Sequence, residues 1–334
     1  MRVPAELCCL VHRLPLVAKE GTVEITPSTR LLVCRSGCSV SAVHGIPRFV
    51  ASEGYAAGFG RQWKKFSRTQ LDSFTGSTIS RDRLTRCLGG SLAILRDKNI
   101  LEVGCGAGRF TELLLEAGAR VLAIDLSSAV EANYDNCCGA AGYFVCQADL
   151  NALPARRGSF DFVICLGVIQ HTPEPEGTIA ALCDFVKPGG SLVIDHYRYD
   201  AADMTRVRQW LRSFLIRRNP RFALRFVRAM VAVLWPAHRL LWRLSGYRWF
   251  AAARQRWLRL SPVLDYHDCY AQLGPRLLYA WASLDTHDAL TDFYKHKRTV
   301  EQIVACLQRL GLVNVEASYG GNGIEARAFK PAGS

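Results

Sequence analysis

Residues 98–197 alternate short apolar runs with amphipathic stretches, and no other feature restricts the chain as much. The apolar runs are NILEVGCG, RVLAID (120–125), YFVCQADL (143–150), FDFVICLGV (160–168) and GSLVIDHY (190–197). Between the first two lies RFTELLLEAG, whose apolar spacing is helical. Runs of strand length that alternate with helices predict a parallel sheet covered by helices, an α/β fold. In such a sheet the ligand crevice lies outside the carboxyl ends of the strands. Each run ends near a polar or acidic residue, so the chemistry is expected in those turns.

The first turn is Glu102-Val-Gly104-Cys-Gly106-Ala-Gly108. Gly104, Gly106 and Gly108 allow a tight bend and close approach of a ligand to the backbone. The glycine pattern alone also suits dinucleotide sites and plain turns. The acids narrow it. Asp125 ends the second strand, where a carboxylate can accept from both hydroxyls of a ribose. Asp149 ends the third, where it can meet an adenine amino group. Glu102 suits a ligand with a positive amino group, whereas a diphosphate prefers a helix N-terminus without acidic neighbours.

Together LEVGCGAGRF, LAIDLS, QADLNALP, FDFVICLGVIQHTPEP and FVKPGGSLVI resemble the class I S-adenosylmethionine-dependent methyltransferases, in order and spacing. The resemblance implies a Rossmann-like, doubly wound sheet of seven strands with the last antiparallel, and S-adenosylmethionine across the strand ends. It also implies that Glu102 orients the methionine end through Gly104 and Gly106. Asp125 with Leu126 would hold the ribose, and Asp149 with Leu150 the adenine. Leu166 and Gly167 would lie under the methionine moiety. The flanking stretches GIPRFV and YAAGFGRQWKKFSRTQLDSFTG, and the ending from LDTHDALTDFYKHKR, resemble bacterial members that carry a small zinc-ribbon-like leader. On that likeness Tyr55, Phe59, Gln62 and Trp63 form a lid over the cofactor, or simply the inner face of their helix.

Five regions are therefore expected: a β-prone ribbon over 1–48, with runs such as TVEI and RLLVC, and a helical lid over 50–95. The cofactor-binding core follows over 96–200, then a helical cap over 201–284, and a helix with two strands over 285–334. In the ribbon, Cys9, His12, Cys34 and Cys38 can supply four tetrahedral ligands for a structural zinc ion. Cys8 competes with Cys9, and a degenerate ribbon without metal is the alternative. The 13 cysteines, an odd and scattered number, suit reduced thiols better than a disulfide framework. The N-terminus lacks an unbroken apolar signal core, and no run is long enough to span a membrane, so a cytoplasmic or peripheral protein is expected.

The charge has an address. Of 42 Lys and Arg, 14 arginines fall between Met204 and Leu260, a stretch with no Asp, Glu or Lys; the remainder holds 28 basic and 29 acidic residues. Five of the seven tryptophans (Trp210, Trp235, Trp242, Trp249 and Trp257) lie there too. Breaks at Asn219-Pro220 and at Pro236 predict short amphipathic helices. Arginine with tryptophan suits an anionic membrane surface or a lipid-linked phosphate. It also suits RNA, less well, and a plain solvated cap is the third reading.

The expected activity is methyl transfer to oxygen on a small-molecule or lipid-linked acceptor. An RNA methyltransferase and a non-catalytic binder of S-adenosylmethionine are the alternatives. His171, in IQHTP, and His196, with Tyr197, are the candidate bases. Asp285-Thr-His-Asp288 and Tyr294-Lys-His296 are candidates to close the acceptor pocket.

Overall fold

The structure, a computed structural model, describes residues 3–19, 29–199, 206–321 and 323–333. The TVEI run and Met204 lie outside these residues. Four short antiparallel strands come first: β1 (Val17–Ala18), β2 (Thr29–Val33), β3 (Ser39–Val43) and β4 (Ile46–Pro47). Helices α1 (Ala57–Lys65), α2 (Asp72–Thr75) and α3 (Ile79–Leu88) lead into the main sheet. There β5 (Asn99–Val103), α4 (Thr111–Glu116), β6 (Arg120–Asp125), α5 (Ala129–Cys137) and β7 (Tyr143–Gln147) follow one another. Then come β8 (Phe160–Cys165), α6 (Pro175–Cys183) and β9 (Val186–His196). After α7 (Arg206–Leu215), α8 (Pro220–Arg243), α9 (Arg248–Leu260) and α10 (Gly274–Thr291), the chain ends in α11 (Val300–Arg309), β10 (Val313–Gly320) and β11 (Gly323–Phe329).

The seven-stranded sheet has the order β10-β11-β9-β8-β5-β6-β7. Strands β5 to β9 pair in parallel, while β11 runs antiparallel to both β9 and β10. The α/β, doubly wound architecture with an antiparallel last strand is therefore present. The chain leaves β5 towards β6 and β7, then returns to β8 on the other side. That reversal opens a crevice at the carboxyl ends of β5 and β8.

Period-two alternation sorts the strand residues into two cores. Leu101, Val103, Leu122, Ile124, Val163 and Leu192 face one side with α6 and α11. Ile100, Val121, Ala123, Ile164 and Val193 face the other with α3, α4 and α5. The N-terminal ribbon joins the first core through Leu7, Cys9, Leu16, Leu32 and Cys34. Phe49 N donates to Gln147 O at 2.8 Å, so the segment after β4 covers the open edge of β7.

The cap has a third core of its own, with Leu211, Leu215, Val227, Val231 and Trp235 packed on Leu278, Trp281 and Leu290. Two expectations fail here. Pro236 does not end a helix, because α8 runs through it for 24 residues, with Asn219 as N-cap and Pro220 in the first turn. Proline removes one backbone donor, and with Pro236 on the exposed side the flanking turns keep packing on Trp235 and His238. The boundary at 284/285 also shifts. Helix α10 crosses it, and Leu290 belongs to the cap core.

Candidate functional site

A cavity of about 780 Å³ opens where β5, β6, β7 and β8 end. Its floor is Gly104, Gly106, Asp125, Leu126, Leu150, Leu166 and Gly167. Gly104 has φ +77°, and a Cβ there would stand 2.1 Å from Val168 Cγ2. Gly106 has φ +51°, and its added Cβ would meet the Trp63 indole at 3.4 Å. Both positions need the left-handed region, and Gly104 also needs bare backbone, so the turn is fixed by its glycines. Tyr55, Phe59, Gln62 and Trp63 all line the cavity from above, with Tyr55 in the turn that precedes α1. They line the cavity and pack inward at once: Gln62 also hydrogen-bonds buried His287 of α10.

Asp125 Oδ2 accepts from Gly106 N at 3.0 Å, and Oδ1 accepts from Ser127 N at 2.8 Å and Ser127 Oγ at 2.7 Å. Burial raises its pKa while those donors pull it down. An ionised carboxylate has about four acceptor sites, so Asp125 keeps capacity toward the cavity. Gly108 and Glu102 do not line the wall. Strand alternation turns Glu102 away, under the glycine turn, where Thr111 Oγ1 donates to Glu102 Oε2 at 2.6 Å. The chain continues as Asn133 Nδ2 to Thr111 at 2.9 Å and Tyr143 OH to Asn133 at 2.8 Å. Burial pushes the Glu102 carboxyl up to about 8, against the Thr111 hydroxyl, which lowers it. Asp149 also lies off the wall, its Oδ1 accepting from Asn151 N at 2.8 Å. Its charge still reaches Tyr55, whose hydroxyl burial, then Asp149 and Asp125, push up to about 12.

The far half of the cavity belongs to the segment after β8, the end of β9 and the cap. His171 is buried against Phe59 and Tyr197, with ring centroids 5.3 Å and 5.2 Å away. Its Nδ1 faces Tyr294 O at 3.2 Å and Asp292 Oδ2 at 3.5 Å. The same carboxylate takes Arg212 Nε of α7 at 2.9 Å and Lys295 Nζ at 3.1 Å. Of the two clusters singled out in the sequence, Asp285, Asp288 and Lys295 reach the wall, while His287, Tyr294 and His296 do not. Tyr266 OH donates to Asp285 Oδ2 at 2.6 Å, and burial raises Asp285 to about 6. His196 does not line the cavity: alternation along β9 buries it opposite Ile324 of β11, and burial lowers its pKa. Its neighbour Tyr197 lines the cavity instead.

Sequence reasoning missed Arg109, Tyr266 and Asp292. Arg109 lines the cavity, and its hydrogen-bond partners among the described residues are neutral: Nε donates to Ser80 Oγ at 2.9 Å and Nη1 to Gln70 Oε1 at 3.0 Å. Burial pulls its pKa down to about 10. Its position directly after Gly108 was the one available signal.

In the ribbon, one ligand atom from each of Cys9, His12, Cys34 and Cys38 lies within 4.8 Å of the others. Cys38 Sγ stands 3.2 Å and Cys34 Sγ 3.7 Å from His12 Nδ1. Cys8 points away, toward Glu6 O. The two distances from His12 match the edges of a tetrahedron around a zinc ion with bonds of about 2.0–2.3 Å. None of the four lines the cavity.

Residues 101–194 match the family described as methyltransferase domain. The ubiquinone biosynthesis O-methyltransferase of Methylococcus capsulatus is 35% identical over 101 residues, covering 29% of this chain and 43% of that protein. The protein of the same name from Ralstonia nicotianae is 40% identical over 103 residues, covering 30% and 43%. Each match spans less than half the length of the relative. A SAM-dependent methyltransferase structure from Aquifex aeolicus aligns at TM-score 0.41 and 14% identity, over 81% of this chain and 96% of that one.

Proposed function

We propose that this chain, which carries a class I S-adenosylmethionine-dependent methyltransferase domain, moves a methyl group to an oxygen of a small or lipid-linked acceptor. The observation that carries this reading is a single cavity joining two unlike halves. One half has the glycine turn and Asp125 at the strand ends; the other has His171 in a pocket of tyrosines and acids. The O-methyltransferase names of the curated relatives favour oxygen as the accepting atom.

S-adenosylmethionine, when bound, supplies a methyl group on a positive sulfur, open to in-line displacement. The residues present suit it: Asp125 and Leu126 take the ribose, Leu150 the adenine with Asp149 nearby, and Gly104, Gly106, Leu166 and Gly167 the methionine end. Trp63 covers the turn. Glu102 and Gly108 act from beneath, by holding the loop. The protein otherwise aligns the acceptor and removes its proton. A proton on His171 Nδ1 serves the Tyr294 carbonyl and faces Asp292, which leaves Nε2 as the acceptor for a hydroxyl proton. Arg109 receives an acidic group of a bound ligand, since a half-buried guanidinium whose hydrogen-bond partners among the described residues are neutral favours an anion.

The ribbon set of Cys9, His12, Cys34 and Cys38 holds a structural zinc ion, supported by the fit of its ligand atoms. Metal analysis of the purified chain is expected to give one zinc per chain, lost in Cys34→Ser. For the activity, labelled S-adenosylmethionine with a cell extract is expected to label a lipid or small-molecule fraction. Labelling of RNA alone, or none at all with the wild-type chain, defeats the reading.

A further inference from the structure

The outer face of the cap is built unlike a solvated helical surface. Helix α8 buries Ala223, Val227, Val231, Trp235 and His238 on one side. Its opposite side shows Phe222, Ala229, Val233 and Leu240 to solvent, Val233 at 76% exposure and Leu240 at 57%. Trp210 of α7, 69% exposed, stacks on Phe214 at 6.2 Å, and Phe214 meets Phe222 at 6.4 Å. At the corner between α8 and α9 stand Tyr247 at 69% and Trp249 at 89%. Half of the exposed large apolar side chains among the described residues lie between Val207 and Leu260, about a sixth of the chain.

The charge on this face has one sign. Nine arginines between residues 206 and 260 are exposed, Arg221, Arg225, Arg228 and Arg243 along α8 among them, and the stretch contains no acid. Arg212 and Arg254 by contrast turn to Asp292 and to Asp265 and Asp268. Among the described residues no helix is long and apolar enough to cross a membrane. An amphipathic helix with arginines beside exposed Trp, Val and Leu lies in the plane of a bilayer interface. Its positive charge complements anionic headgroups. RNA would use the arginines and the rings but has no use for Val233, Leu240 and Leu260.

We propose that the outer face of α7–α9 docks in plane on an anionic lipid bilayer. The cap's inner side supplies Arg208, Leu264, Tyr266 and Tyr270 to the cavity, so the docked cap sets the acceptor half against the lipid phase. That last clause rests on the methyltransferase reading; the docking does not.

The test is flotation of the full chain with phosphatidylcholine vesicles, and with vesicles in which a third of the lipid is phosphatidylglycerol. Binding is expected for the anionic vesicles and to weaken as salt rises. Arg225→Glu with Arg228→Glu is expected to lower it by at least about fivefold per arginine. Val233→Glu with Leu240→Glu is expected to abolish it, while S-adenosylhomocysteine affinity stays at the wild-type value and reports an intact fold. Equal binding to both vesicle types, or indifference to both pairs of substitutions, overturns the proposal. So does salt-steep binding to transfer RNA without vesicle binding. Flotation needs no turnover, so a chain that floats but transfers no methyl group fails the proposed function and not this surface.

Discussion

The two halves of the cavity are held by different means. The strand-end half is fixed by backbone: glycines in left-handed turns, a Gly106 amide on Asp125, and short loops within one stretch of chain. The far half is fixed by side chains from distant segments, with His171, Arg212 and Lys295 meeting on Asp292. A half made of backbone tolerates substitution around it but fails at one carboxylate. A half made of charges depends on every partner, because an unpaired buried charge costs several kcal/mol.

Three substitutions separate the halves. His171→Ala is expected to lower kcat about 10²- to 10⁴-fold, the range for loss of a general base, while S-adenosylhomocysteine affinity in calorimetry stays unchanged. Asp125→Ala is expected to act on the other half alone, weakening S-adenosylhomocysteine about 100-fold through two lost charge-assisted hydrogen bonds. If both substitutions moved kcat and affinity together, the division would be wrong. Arg109→Gln is expected to weaken an acidic ligand about tenfold, one charge-assisted bond. Comparing S-adenosylmethionine with its decarboxylated analogue shows whether that acid belongs to the donor.

The smallest effect is on stability. The Glu102 carboxyl is raised to about 8 in the fold by burial, above its unfolded value. It therefore contributes stability that is complete below about pH 4.5 and is lost as pH rises through 8. Asp285, raised to about 6, adds a loss of the same sign at lower pH. Glu102→Gln keeps an acceptor for Thr111, so the Tm of the ligand-free chain is expected to fall less steeply between pH 5 and 8 than in the wild type. An unchanged slope would show that the carboxyl ionises freely beneath the turn.

The strand-end half was legible because its signals are local. RVLAID gives β6 to the residue, and the acid at its end faces the crevice as expected. That Glu102 lies beneath the turn and off the wall follows from its parity along the strand, not from its distance to the glycines. Leu101 and Val103 face one core, so Glu102 had to face the other, toward Thr111. The same parity removes His196 and admits Tyr197. The far half was legible only as residue types. Nothing local ties Asp292 to His171, or Gln62 to a histidine 225 positions later. Pro236 misled because packing of the turns on both sides outweighs the cost, about 3 kcal/mol, of a proline inside a helix.

Asp292 has a consequence that follows from thermodynamics alone. It fastens α7 through Arg212 and at the same time faces His171. A surface contact that displaces α7 pulls, through Arg212, on the carboxylate that faces His171. By reciprocity, whatever factor such a contact applies to ligand affinity in the cavity, the ligand applies to the contact. Through this carboxylate, place and chemistry form one equilibrium.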